Sequence, residues 1–222
     1  MVMGTGYNPR IVTENLVFCV DAANIRSYPK SGTTWSDLAG ANDGTLTNAP
    51  AFNSDNGGGI FFDGTDDSVE FSALDSSLFS DGNASVFCFL KSQQTNNTTS
   101  GLWGFGSGAR SHYIWSDGNI YLNTFRNSRP SFTASSSVDR FIPHVLCVTT
   151  KNGGSWKCYQ NLELVHSTGA ESSINLTNPR IGYGDTTGYR FRGVIYSFMI
   201  YNKELSFAEI RQNYLATKER YA

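Results

Sequence analysis

Alternation with a period of two dominates the hydrophobic positions of this chain. Across Ser85 to Leu90, Phe87 and Phe89 alternate with Val86, Cys88 and Leu90, so both faces are apolar and a central, doubly covered strand is predicted. Asp117-Gly118 is a type I′ turn signal that pairs Trp115 with Ile120 and Tyr113 with Leu122, leaving His112, Ile114, Tyr121 and Asn123 on the other face. If Lys151 to Gly154 form a four-residue loop, Thr150 faces Ser155 and Cys147 faces Cys158 across a second hairpin. Ser128 to Val138 is Ser-rich and reads as a loop, within which Ser131 to Ala134 could contribute a short strand, and the polar run Gln93 to Ser100 is an exposed loop. The chain closes with a strand, Arg192 to Asn202, that hands over to a helix. Ser206 and Glu209 form a capping box there, and Leu205 packs on Ile210 as a staple. Ser27 to Asn56, rich in small polar residues, reads as a long ordered loop with short strand pieces, anchored by Trp35 and Leu38. Met1 to Glu14, with Gly4, Gly6 and Pro9, reads as an arm that docks on a neighbouring subunit or stays disordered.

Four segments in fixed order carry a family resemblance. They are Leu16 to Asn24 followed by Ser31 to Gly40 and Asp43 to Leu46, then Ile60 to Phe71, then His144 to Val165, and last the strand-to-helix handover at Arg192 to Arg211. Together they resemble the laminin G-like, concanavalin A-like sandwich family in its bacterial and phage form. The resemblance implies an all-β fold: an antiparallel two-sheet jelly-roll sandwich with a short C-terminal helix. The domain division expected is an arm at 1–14, the sandwich at 15–205, and a capping helix and tail at 206–222.

Composition fits one such sandwich. A chain of 222 residues has room for a single large β domain, and its 15 Phe, 11 Tyr and 4 Trp suit two strand layers that cover each other. A net charge of −2 with 17 scattered Lys and Arg gives no basic field for nucleic acid. No apolar run approaches the roughly 20 residues of a membrane helix, and Met1 to Arg10 lacks the pattern of a secretory signal, so synthesis in a cytoplasm is expected. Four cysteines without metal-type spacing are read as free thiols packed as small hydrophobes, the alternative being a bridge between the facing Cys147 and Cys158.

The search for catalysis finds little. The Gly-x-Ser-x-Gly elbow is absent, and His144 and His166 are accounted for as strand ends. The glucanase relatives carry Glu-x-Asp-x-Glu on one strand, a pattern missing here; Glu70 lies on a strand with only Asp66 and Asp67 near it in sequence. Gly104-x-Gly106-x-Gly108 lacks the lysine of a phosphate loop and reads as a hairpin or sheet-edge loop. No cofactor is required, and the ion to consider is calcium. Its candidate ligands are Asp63, Asp66 and Asp67 in one turn, whose alternative reading is a tight β-turn, and Asp185, in a loop resembling the calcium-bearing one of pentraxin relatives. Carbohydrate candidates are His112, Tyr121, Asn123 and Arg126, because sugars stack on aromatic faces and need directed polar partners beside them.

The expected function, by family analogy from an opening like Asn8 to Leu16, is a non-enzymatic structural protein of a tailed bacteriophage virion. It would sit on the virion surface, on capsid or tail, as a homo-oligomer touching other virion proteins. The alternative is an adhesin that binds host surface glycans, with or without calcium.

Overall fold

The computed structural model of the chain describes residues 9–94, 100–106, 109–112, 119–122, 131–133, 140–170, 176, 178–183 and 189–220. Two eight-stranded antiparallel sheets face each other. The first runs β14 (Glu163–Ala170), β13 (Ser155–Gln160), β12 (His144–Thr150), β7 (Ala84–Ser92), β16 (Arg192–Tyr201), β5 (Gly59–Asp63) and β4 (Ala51–Asn53). Its eighth strand, β1 (Leu16–Asp21), pairs with the second half of β16 while β5 takes the first half. The second sheet runs β11 (Ser131–Thr133), β10 (Asn119–Leu122), β9 (Ala109–His112), β8 (Gly101–Phe105), β15 (Arg180–Ile181), β6 (Ser68–Phe71), β3 (Gly44–Thr47) and β2 (Thr34–Trp35).

The inner faces interdigitate as an aromatic core. Phe18 meets Phe71 edge-on at 4.9 Å between ring centroids, and Trp103 packs on Phe198 at 5.6 Å. Val86, Cys88 and Leu90 of β7 belong to this layer. Phe87 and Phe89 point the other way, into a second apolar layer with Cys147, Met199 and Tyr201. That layer exists because the helix α1 (Phe207–Lys218) lies across the outer face of the first sheet and contributes Ile210 to it. The central strand is therefore covered twice, as its sequence requires.

Local chemistry fixes the helix start. Ser206 Oγ accepts from the Glu209 amide and Glu209 Oε2 accepts from the Ser206 amide, while Leu205 and Ile210 are buried in the same cluster. The Ser85 hydroxyl donates to the Lys203 carbonyl at 2.7 Å and accepts from the Leu205 amide at 2.9 Å, tying the turn before the helix to β7.

Below the helix a buried ring of hydrogen bonds joins three distant segments. Asn213 Nδ2 donates to the Tyr201 hydroxyl at 3.0 Å, that hydroxyl donates to the Val12 carbonyl at 3.0 Å, and the Val12 amide donates to Asn213 Oδ1 at 2.8 Å. Burial pushes the Tyr201 phenol well above its ordinary pKa, so it remains a donor. The end of the segment expected to be an arm is thus taken up by the chain's own fold: Val12 is buried, and Gln212 donates to the Arg10 carbonyl.

Several sequence expectations change here. Trp35 is an anchor of the long loop, but Leu38 is 36% exposed. The residue that holds the loop is its neighbour Asp37, whose carboxylate accepts from the amides of Cys19, Ala39 and Asn42. In the 144–160 hairpin, Cys147 opposes Tyr159 and Val148 opposes Cys158. This one-residue slip sends the two thiols to opposite faces of the sheet, Cys147 to the helix side and Cys158 to the core, and all four cysteines are free and buried. The other hairpin is displaced by two: Leu122 faces Ser111, not Tyr113, and Tyr121 faces His112. The expected turn at Asp117-Gly118 lies outside the described residues.

Asn213→Ala leaves the Val12 amide and one side of the Tyr201 hydroxyl unsatisfied in a dry layer, and should cost about 2–3 kcal/mol in urea unfolding. Burial alone would raise the Glu209 pKa, but the Lys203 ammonium and the Ser206 bonds outweigh it and hold the carboxyl below its usual range. Its stabilisation is present above the ordinary carboxylate range and is lost as pH falls through the lowered pKa. Glu209→Gln is accordingly expected to be less stable than wild type at pH 7, with the gap closing when unfolding is repeated at acid pH.

Candidate functional site

Pairing in the second sheet sorts its residues into cross-strand rows. One row, Leu46, Val69, Ile181, Trp103 and Ser111, is buried throughout and faces the core. The next row over five strands is Thr34, Thr45, Glu70, Arg180 and Gly104. Because successive side chains of a strand point to opposite faces, this second row belongs to the outer surface of the sheet. Thr34, Thr45 and Glu70 are exposed there and Arg180 is half-buried.

At the centre of that row is a cleft of about 200 Å³ bounded by Glu70, Phe71, Asn178, Pro179, Arg180 and Tyr183. The Tyr183 hydroxyl donates a short hydrogen bond to Glu70 Oε1. The guanidinium carbons of Arg180 and Arg190 lie 5.3 and 4.7 Å from the Tyr183 ring centroid. Arg180, paired with Gly104, also donates to the Gly106 carbonyl at 2.7 Å. Burial, then the hydrogen bond to Glu70, push the Tyr183 phenol up to about 12 against the opposing pull of the two arginines. At neutral pH it is a hydrogen-bond donor and not a phenolate.

Beside this cleft lies the acidic turn. Asp63, Asp66 and Asp67 present carboxylate oxygens within 4.8 Å of one another. Two of these groups serve the turn itself: Asp67 Oδ2 accepts from the Asp63 amide at 2.9 Å, and Asp63 Oδ1 accepts from the Thr65 amide at 2.7 Å. Burial raises the Asp67 pKa, helped by the neighbouring Asp63 and Asp66 carboxylates, while the hydrogen bond from the Asp63 amide and, more weakly, Arg190 pull the other way. Gly182, at a φ of 92°, brings the start of the 182–190 loop against the turn; a Cβ there would stand 2.6 Å from Phe62 Cδ1 and 2.9 Å from the Asp67 carbonyl oxygen. The turn and the base of the loop, the two places expected to hold calcium ligands, are therefore neighbours in space. Asp185 itself lies outside the described residues.

Of the carbohydrate candidates, Asn123 and Arg126 are outside the described residues, and His112 is placed by its backbone pairing with Tyr121 on one side and Gly101 on the other. Tyr121 is half-buried on β10, three strands from β15 and so about 14 Å across the sheet from Arg180. Thr45, Arg180, Tyr183 and Arg190 were missed. Glu70 was noted without a partner, because the tyrosine it binds lies 113 residues further along the chain. The signal available was Asn178-Pro179-Arg180-Ile181-Gly182-Tyr183, a two-residue strand between turn formers.

Since two of the three carboxylates of the acidic turn already accept from backbone amides, millimolar calcium against chelator is expected to move the melting temperature by no more than about 1 °C. A rise of several degrees would make it a ligand set. With its pKa raised, Asp67 favours the folded state most below the ordinary carboxylate range and less as pH climbs through the raised value. Asp67→Asn should melt higher than wild type at pH 7, with the advantage gone at pH 4.

No curated protein matches the sequence. Among solved structures, Trypanosoma rangeli sialidase in complex with sialic acid superposes with a TM-score of 0.71 at 14% identity, over 99% of this chain and 36% of its own. The receptor binding domain of botulinum neurotoxin C/D mosaic serotype gives 0.69 at 18%, over 91% of this chain and 51% of its own, and the serotype D binding domain gives 0.70 at 18%, over 91% and 52%. The chain spans between about a third and a half of these proteins' length, and at such identities the likeness is one of fold. The sequence pattern of the concanavalin A-like lectin/glucanases superfamily, in its third laminin G form, matches residues 63–211, more than half of the chain, and this protein belongs to that superfamily.

Proposed function

We propose that this chain is a non-enzymatic glycan-binding module and that its ligand lies on the outer face of the second sheet, over Glu70, Arg180, Tyr183 and Arg190. The observation that carries the reading is the polar row of that sheet with its cleft, set against a first sheet whose outer face is packed under a helix. Tyr183 already has two guanidinium groups over its ring, so recognition here uses directed hydrogen bonds more than stacking. The arginines donate to sugar hydroxyls or carboxylates, and Glu70 has a second oxygen with which to accept from a hydroxyl. Among the structural neighbours one is complexed with sialic acid and two are binding domains, which supports a carbohydrate reading and an acidic sugar within it. The absence of enzymatic turnover is part of the proposal: Glu70 has no second carboxylate on the polar row.

A second reading, a structural protein of a tailed bacteriophage virion, draws on the resemblance of the opening segment Asn8 to Leu16. In that setting the sandwich, and not residues 10–14, makes the protein contacts, because the latter are engaged by the chain's own helix. Cryo-electron microscopy of whole particles tests it: absence of the chain from the virion would sink this setting while leaving glycan binding open.

For the main reading, a glycan array probed with the whole chain is expected to select acidic glycans. Arg190→Ala and Glu70→Gln should each weaken binding about tenfold or more with an unchanged melting temperature. A chain that binds no glycan, or binds equally in both variants, is not the module proposed, and release of free sugar would make it an enzyme.

A further inference from the structure

The cover over the first sheet is shorter than the sheet. Helix α1 has 12 residues, about 18 Å of helix, whereas the ten residues of β16 span about 33 Å. Where the cover ends, a half-open cleft of about 610 Å³ remains, between the last turn of the helix, β7 and the loop before β12. Its walls are Phe89, Ile142, Pro143 and Tyr214, with Asn56 closing one side. Phe89 is 2% exposed and forms part of the floor, while Ile142 is 53% exposed and forms a lip that the folded chain does not use.

Two lysines line the same cleft, Lys91 from the strand and Lys218 from the helix. The Lys218 ammonium stands 5.7 Å from the Tyr214 ring centroid, over an aromatic wall. Among the described residues neither lysine has a carboxylate within ion-pairing distance, in contrast to Lys157, Lys203 and Arg220. Glu219 is the acid among the lining residues, so the charge of the lining is one positive unit in excess. The volume falls within the range of about 300–1,000 Å³ of small-molecule sites, which are apolar with a few convergent polar groups.

We infer that this cleft is a second binding site, for an amphipathic carboxylate whose alkyl chain lies along Phe89, Ile142 and Tyr214 and whose head is received by Lys91 and Lys218. Burial of the chain against these walls supplies affinity, and the unpaired ammonium groups select an anionic head over a neutral or cationic one. The site is on the opposite sheet from the glycan cleft and does not depend on it.

Calorimetric titration of the whole chain with sodium dodecanoate below its micelle concentration is expected to give saturable one-to-one binding. Dodecanol and dodecyltrimethylammonium should bind at least tenfold more weakly. The double variant Lys91→Glu with Lys218→Glu should lose at least tenfold in dodecanoate affinity, and Ile142→Trp, which narrows the mouth, should also weaken it. Circular dichroism melting identifies any variant that fails to fold, and Lys91→Gln alone, a milder change, should still show a severalfold loss. Equal affinity for dodecanol, no saturable uptake, or binding only to phosphatidylglycerol vesicles without monomer binding would each overturn the inference.

Discussion

The closed ring of hydrogen bonds among Val12, Tyr201 and Asn213 is the constraint on which the rest of the molecule depends. It is buried, each donor in it has an acceptor, and it joins the segment before β1, the end of β16 and the middle of the helix. A polar ring of this kind is stable in a dry layer only when complete. Completing it seats the helix on the outer face of the first sheet, and seating the helix demands that Phe87, Phe89, Cys147 and Met199 be apolar on that face. The sheet becomes the middle layer of three. Its strands then have no surface left for polar recognition except where the helix runs out.

An open polar face is left in consequence to the second sheet, where no helix among the described residues intervenes. There the alternation of rows does the sorting. The row through Val69, Ile181 and Trp103 closes the core, and the neighbouring row through Glu70, Arg180 and Gly104 is delivered to the surface by the same pleat. Arg180, paired with Gly104, reaches the Gly106 carbonyl, and Gly182 lets the following loop turn back close enough for Tyr183 to reach Glu70. Acid, phenol and two guanidinium groups are thereby brought together by a strand of two residues.

What the sequence reveals and what it conceals divides along physical lines. The capping box at Ser206 and Glu209 and the doubly apolar strand through Phe87 and Phe89 are consequences of neighbours a few residues apart, and both were legible. Register was not. The pairing of Cys147 with Tyr159 instead of Cys158 means that the connection between the two strands is one residue longer than a four-residue loop, and a slip of one residue exchanges the faces of everything that follows. Asp37 looked like loop and Leu38 like an anchor, because apolarity suggests burial while a carboxylate gathering backbone amides can be recognised only once the loop has closed. Glu70 is the same case at longer range: its strand was visible, its partners were not. Asn123, Arg126 and Asp185 lie outside the described residues, and Tyr121 stands apart from the cleft on the same sheet.

The three-layer arrangement also gives the molecule a direction. Residues 9–14 and the helix ending at Lys218 lie together on the outer side of the first sheet, whereas the polar row faces away on the outer side of the second. Anything joined to the chain before residue 9 or after residue 220 is attached at the back of the sandwich. A carrier gripping either end would hold the module as a plate is held from behind, with the Glu70 and Arg180 surface turned outward and unobstructed by the linkage.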